Sequence, residues 1–389
     1  MAHKKRIVFI SHDSTLTGAP ILLLNLIALV KKRDVFDIRI ILFKGGILQE
    51  EFKRYGETTI LRLGNYNKYK FFLWKLVPFL KYTTKVFFLR GFIKDADIIF
   101  NNTVTNGKIL KAISGSSAKV VTYVHELESV INIYRKKSEL TLKYSDLFVV
   151  PSQAVAQNLI SNHGISKDKL CFLNYFFPFH EVNTNADAKE KARKRMSAFI
   201  DFNDTEFYIA GMGAATRRKG IDLLVGAAAI LKEAAKEVHF VWIGGYDNDG
   251  MKAEIENEIA ANGLKNTFSF VGQLPHSLDN LLAFDLFILP SREDPYPLVV
   301  LEAALLKLPS VIFAGTGGIG EFVSDNCGWI VDEISSRALA QKIIELKNQK
   351  EELKKRGENA YKKCIQLHTD EESIFSRFND IIQLCAGLK

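Results

Sequence analysis

Short apolar runs that stop abruptly at polar loops recur along this chain, and that rhythm sets the strongest limit on its fold. Ile7-Val8-Phe9-Ile10 gives way to Ser11-His12-Asp13, and Val120-Val121-Thr122-Tyr123-Val124 to His125-Glu126. Phe207-Tyr208-Ile209-Ala210-Gly211 runs into a glycine-bearing loop, and Leu286-Phe287-Ile288-Leu289 into Pro290-Ser291. Each run is too short for a helix and apolar on both faces, as a strand buried between two helical layers must be. Ile38–Phe43, Ile98–Phe100, Leu147–Val150, Val238–Ile243, Phe268–Gly272 and Ser310–Phe313 continue the series. Helical stretches stand between them, from about Ala19 to Val30 and from Ile221 to Lys236. The alternation predicts an α/β protein with doubly wound parallel sheets.

The rhythm breaks once. His180 to Arg195 are rich in polar and charged residues and carry no apolar period, which suits an interdomain linker. With 389 residues, the chain is long enough for two well-developed cores. The expected organisation is a Rossmann-like domain over residues 1–180, a linker over 181–205 and a second Rossmann-like domain over 206–369. A last helix, at about 370–389, packs back onto the first domain, and the two domains face each other across a cleft. Ser145-Asp146-Leu147-Phe148-Val149-Val150-Pro151-Ser152 echoes Phe284-Asp285-Leu286-Phe287-Ile288-Leu289-Pro290-Ser291. The echo reflects either two related halves or a coincidence of strand-to-loop chemistry.

Charge and cysteine content narrow the class. The formal charge of +8 is a mild bias, so its location matters more than its size. From Thr58 to Lys94 there is no acidic residue, and Lys68, Lys70, Lys75, Lys81, Lys85, Arg90 and Lys94 alternate with aromatic rings. Three readings stay open for this stretch, about 66–94. They are core-packing helices with a solvated basic face, contact with an anionic membrane surface, and, least favoured, nucleic acid. Cys171, Cys327, Cys364 and Cys385 lack metal-ligand spacing or a disulfide framework, so a reduced, cytoplasmic protein is expected. The apolar runs at Ile7–Ile10 and Pro20–Val30 are too short for a signal peptide or a membrane span, leaving only peripheral membrane contact.

The loops after the strands carry the chemistry. Ser291-Arg292-Glu293-Asp294-Pro295-Tyr296-Pro297 leads into a helix that is almost wholly apolar apart from Glu302. A carboxylate on a buried helix needs a partner. Asp294 and Glu302 could both face the carboxyl end of the sheet, where such folds bind ligands, and a ribose or hexose would satisfy them. The helix start between them suits a phosphate. After the strand at Phe207–Gly211 comes Met212-Gly213-Ala214-Ala215-Thr216-Arg217-Arg218-Lys219-Gly220, a glycine-flanked cation cluster suited to a diphosphate; a solvated charged turn is the bland alternative. Gly315-Thr316-Gly317-Gly318 is an anion nest or a tight structural turn. Gly18 sits where a phosphate would meet a helix N-terminus. His125 positions a sugar, moves a proton, or is a structural histidine. Asp247-Asn248-Asp249 reads as a turn rather than a metal site.

Together these residues resemble the retaining glycosyltransferases of family 4, which have the GT-B fold. The likeness covers nearly the whole chain and is most specific at Asp294 to Glu302, similar to that family's E-x7-E motif with Asp in place of the first Glu. The resemblance implies that Glu302 binds the nucleotide ribose and Asp294 the transferred sugar, with Leu298 and Val299 beside the sugar and diphosphate. It implies that Arg218 and Lys219 bind the diphosphate. Ala214 stands where the family usually has an arginine, so Arg218 or Arg217 takes that part. Gly18 resembles the N-terminal diphosphate loop, His125 the donor-sugar histidine, and Gly317 and Gly318 the glycine loop beside the donor. The implied activity is transfer, with retention, from a nucleoside diphosphate sugar (UDP- or GDP-sugar) to a glycan or lipid-linked acceptor in cell-surface polysaccharide synthesis. No metal or other cofactor is expected. The competing expectations are a sugar-nucleotide epimerase or hydrolase on the same fold, and a non-catalytic basic adaptor for membrane or nucleic acid.

Overall fold

The computed structural model describes residues 4–62, 86–179, 181–274 and 277–388. Most of the basic, aromatic stretch at 66–94 lies outside them, including Lys75, Lys81 and Lys85. At its end, Phe87 and Phe88 are exposed while Leu89 and Ile93 are buried. The chain divides into two compact units, one of Met1–Pro178 with His368–Lys389, the other of Phe179–Leu367.

The first unit is built on β1 (Lys5–Ser11), β2 (Phe36–Lys44), β3 (Glu57–Arg62), β4 (Ile98–Asn101), β5 (Lys119–Tyr123), β6 (Leu147–Val150) and β7 (Leu170–Phe172). All pair in parallel, in the order β3-β2-β1-β4-β5-β6-β7. The central strands are buried on both faces, which is why their sequences are continuously apolar. The second unit repeats the plan with β8 (Phe207–Met212), β9 (Val238–Ile243), β10 (Phe268–Gly272), β11 (Leu286–Leu289), β12 (Ser310–Phe313) and β13 (Gly328–Val331). Its order is β10-β9-β8-β11-β12-β13, again all parallel. In each sheet the strand order reverses beside the unit's first strand, between β1 and β4 and between β8 and β11. By this order β11 corresponds to β4. The echoed segments therefore end on β6 and β11, which hold different places in their sheets, and the echo is one of strand-to-loop chemistry.

The stretch expected as a linker, 181–205, contains a helix, Ala186–Met196, within the second unit. Only Ala192 and Met196 of this helix are buried, too few to produce an apolar period. Polar contacts hold it instead. The Asn185 side chain caps its first turn, Lys189 Nζ reaches Asp285 Oδ1 at 2.6 Å, and Arg193 pairs with Asp204 at 2.8 Å.

The last helix, Glu371–Ala386, belongs to the first unit. Its apolar face buries Ile374, Phe378, Ile381, Ile382 and Cys385. Phe378 is fully buried against Phe100 (ring centroids 5.6 Å apart), Phe36 (6.2 Å) and Phe9 (6.3 Å). Its loss opens a large cavity among rings from three strands. Phe378→Ala should therefore lower the stability of the first unit by about 3–5 kcal/mol. Urea unfolding followed by fluorescence measures this, and a change below about 1 kcal/mol would show the helix to be loosely docked.

Candidate active site

Where neighbouring connections leave a parallel sheet in opposite directions, the strand ends stay open and their loops can meet a ligand. In the second unit that place lies at the carboxyl ends of β8 and β11, and both loops singled out in the sequence start there. The loop after β8 turns at Gly220, whose φ is +74°. A Cβ there would stand 1.8 Å from the Pro290 carbonyl oxygen, so only glycine lets the two loops touch. They are joined further on. The Arg292 N–H donates to the Arg218 carbonyl (2.8 Å), and Arg218 Nη1 donates to the Glu293 carbonyl (2.7 Å). Lys219 Nζ bonds the Asp294 carboxylate, with side chains only 14% and 9% exposed. Ser291 Oγ donates to the same carboxylate at 3.4 Å.

A third loop closes on Asp294 from the other side. The Asp294 N–H donates to the Thr316 carbonyl (2.7 Å), and the Gly318 N–H donates to the Pro295 carbonyl (2.9 Å). Gly317, at φ +152°, lies so near that a Cβ would fall 1.7 Å from the Asp294 carbonyl oxygen. Gly317 and Gly318 thus form a tight turn packed on the acidic loop, with the Gly318 amide used inside the protein. Leu298 and Val299 open the helix Leu298–Leu305, whose N-cap residue Pro297 offers no side-chain cap. One turn further in is Glu302. Its side chain makes no hydrogen bond or ion pair among the described residues. Burial pushes its pKa up to about 6, and the nearby Lys219 charge only partly offsets this. Lys219 therefore acts electrostatically on both acids, bonding one and leaving the other open.

Arg217, the alternative to Arg218, is engaged elsewhere, with Nη1 on Asp222 at 2.9 Å and Nη2 on Glu254. Asp222, 9% exposed in the helix Ile221–Leu231, also takes a two-pronged contact from Arg292 at 2.8 and 2.7 Å. Burial would raise its pKa, but the two guanidiniums outweigh that and hold it below the usual carboxylate range. Asp222 was not foreseen. The signal was available, because it is a lone acid on an apolar helix, the same feature that marked Glu302.

The first unit carries the remaining candidates at the carboxyl ends of β1, β4 and β5. Gly18 begins the helix Gly18–Arg33. The Ala19 carbonyl accepts from Asn102 Nδ2 at 2.7 Å, which orients the amide and aims its Oδ1 at His125 Nε2, 2.9 Å away. Nε2 therefore carries the proton, and Nδ1 accepts from the Tyr175 hydroxyl at 3.1 Å. Burial pushes the His125 pKa down to about 3, helped by His12. A neutral ring bonded at both nitrogens is a structural and positioning group, not a proton carrier. Glu126 beside it accepts from Thr103 and from the His125 N–H (2.9 Å), while burial raises its pKa to about 7. Asn101, Thr122, Ser145 and Thr141 continue a buried polar network beneath these loops. Asp247-Asn248-Asp249 forms a helix start, with Asn248 Oδ1 accepting from the Met251 N–H at 3.0 Å. Among the described residues no helix is long and apolar enough to cross a membrane.

Residues 192–363, within the second unit, match the family model of Glycosyl transferases group 1. The chain is 33% identical over 122 residues to the alpha-galactosylglucosyldiacylglycerol synthase of Streptococcus pneumoniae, covering 30% of this chain and 31% of that protein. It is 32% identical over 161 residues to the putative teichuronic acid biosynthesis glycosyltransferase TuaC of Bacillus subtilis, covering 41% of this chain and 36% of that one. The chain thus spans about a third of the length of these curated relatives. Across 99% of this chain and 100% of the other, the crystal structure of Anabaena Alr3699/HepE in complex with UDP and glucose has the same fold, with a TM-score of 0.77 and 20% identity. The chain has the GT-B fold, and its second unit carries a glycosyl transferases group 1 domain.

The strained charge at Glu302 yields a measurable sign. Its folded pKa of about 6 exceeds the ordinary 4.5, so between these values the folded protein holds the extra proton. The stabilising contribution is complete below pH 4.5 and is lost as pH rises through about 6. Glu302→Gln should then stabilise the second unit by about 2 kcal/mol above that window and reduce the fall in stability across it. Denaturant unfolding over a pH series checks this; an unaltered pH slope would show that Glu302 is not the titrating group.

Proposed function

We propose that this protein is a retaining glycosyltransferase, moving a sugar from a nucleoside diphosphate sugar to a glycan or lipid-linked acceptor in cell-surface polysaccharide or glycolipid synthesis. The observation that carries the reading is the trio at the β8–β11 opening, where a buried Lys219–Asp294 pair stands beside Glu302, whose side chain has no bonded partner among the described residues. A half-buried carboxylate without a protein donor is matched by the hydroxyls of a ribose. Lys219 and Arg218 supply fixed positive charge for a diphosphate, the group on which negative charge grows as the sugar leaves. Two relatives are named for the synthesis of a glycolipid and of teichuronic acid, which supports the acceptor class. The Anabaena structure of like fold holds UDP and glucose, which supports a UDP-sugar, with a GDP-sugar the alternative.

In this mechanism Glu302 accepts hydrogen bonds from the ribose, and Asp294 orients the sugar hydroxyls while its bond to Lys219 fixes where that ammonium stands. The amides of Leu298 and Val299 lie beside the sugar and diphosphate. The bond between the anomeric carbon and the diphosphate oxygen breaks, and the acceptor oxygen bonds the same face of that carbon. The acceptor's proton passes to the departing phosphate oxygen. His125 serves by position, through its carbonyl and ring edge, because both ring nitrogens are engaged. No metal is needed, since Lys219 and Arg218 provide the neutralisation. The protein works in the cytoplasm, in peripheral contact with the membrane's inner face.

Thermal unfolding with UDP, GDP and dTDP tests the donor site. A nucleoside diphosphate at about 100 times its dissociation constant adds roughly 2.7 kcal/mol to the folded state. The stabilisation should be confined to one base and lost in Glu302→Ala; stabilisation by DNA or lipid vesicles alone would favour an adaptor. In a folded Lys219→Ala variant turnover should fall about 100-fold, and near-normal turnover would remove Lys219 from the mechanism.

A further inference from the structure

The two loops that hold the donor-site cations and acid meet a second, purely structural set of charges. Asp222 sits one residue inside the helix that follows Gly220, with its carboxylate buried. Arg292, from the loop after β11, places Nη1 on Oδ1 (2.8 Å) and Nη2 on Oδ2 (2.7 Å). The same Nη1 reaches across to the Arg217 carbonyl at 2.6 Å, and the Arg292 backbone amide donates to the Arg218 carbonyl at 2.8 Å. Arg217, from the loop after β8, brings Nη1 to Asp222 Oδ2 at 2.9 Å. One carboxylate thus gathers a guanidinium from each loop, and the peptide between Arg217 and Lys219 is gripped from the Arg292 side. The next contacts along the same seam are Arg218 on the Glu293 carbonyl and Lys219 on Asp294.

We infer that Asp222 is a positioning residue for the diphosphate site. It clamps the Arg217–Lys219 loop to the Arg292–Asp294 loop and keeps Arg217 and Arg292 turned away, so that Arg218 and Lys219 alone define where a diphosphate binds. The inference rests on the donor reading given above. Bidentate guanidinium contacts fix direction as well as distance. Truncating the shared carboxylate leaves two cations without their buried counter-charge. Arg292 is then free to turn toward any anion nearby, Arg217 keeps only its Glu254 contact, and the Arg217–Lys219 loop loses its side-chain anchor.

The test separates positioning from simple loss of fold. Calorimetric titration of UMP and UDP into the wild type gives the affinity gained from the second phosphate. Asp222→Ala should lose about tenfold of that gain, roughly 1.4 kcal/mol, while UMP binds as before. Arg292→Met, at a half-exposed position, gives the same split should Asp222→Ala fail to fold, and Asp222→Glu should restore part of the gain. Equal weakening of UMP and UDP, or an unchanged UDP-to-UMP ratio in the folded variants, overturns the positioning role. A wild type that binds UDP and GDP no more tightly than the monophosphates overturns the donor reading itself, and the inference with it.

Discussion

In an all-parallel sheet every connection must travel over one face before the next strand can begin. Where consecutive connections take opposite faces, nothing covers the strand ends between them. Both sheets here have that arrangement beside their first strand, and in the second unit it places the loops after β8 and β11 side by side. Everything proposed for the donor site follows from this juxtaposition. Gly220 and Gly317 then allow the loop backbones to approach within contact of Pro290 and Asp294, which no side chain at those positions would permit.

Charge is arranged across these loops with unequal satisfaction. Asp222 has two guanidiniums and Asp294 has Lys219, whereas Glu302 has no bonded partner among the described residues. The first two acids stabilise the loop seam through contacts formed within the protein. The third is held in a desolvated state that a hydroxyl-bearing ligand would relieve. Stability and function therefore pull in opposite directions within the same group of loops and helices. In the first unit the logic differs: His125 is kept neutral by burial while Asn102 and Tyr175 hold its ring, and Glu126 is surrounded by donors.

The central strands were legible because burial on both faces leaves an unbroken apolar run. The strands that escaped notice, β3, β7 and β13, are all at sheet edges. Glu57-Thr58-Thr59 and the half-exposed ends of Leu170–Phe172 show no such run. The helix Ala186–Met196 was hidden for the opposite reason, since it is held by Asn185, Lys189 and Arg193 instead of an apolar face. Conversely, the Ile221 helix ends at Leu231, short of Lys236. At the site, Glu302 was visible as an acid on an apolar helix, Asp294 as an acid in the loop before it, and Lys219 as one of the cations after a strand. The engagement of Arg217 with Asp222 and Glu254 was not, because it depends on residues from two other helices. Nor was the locked tautomer of His125, set by residues far apart in the chain.

The return of the last helix to the first unit has a temporal consequence. Phe9, Phe36 and Phe100 are made early on the ribosome, but Phe378, which closes their cluster, emerges only after the entire second unit. Until then the first sheet presents an uncovered aromatic surface, while the second unit, contiguous in sequence, already has every residue of its own core. The later-synthesised half is thus the first that can finish folding, and the earlier half is sealed only after it.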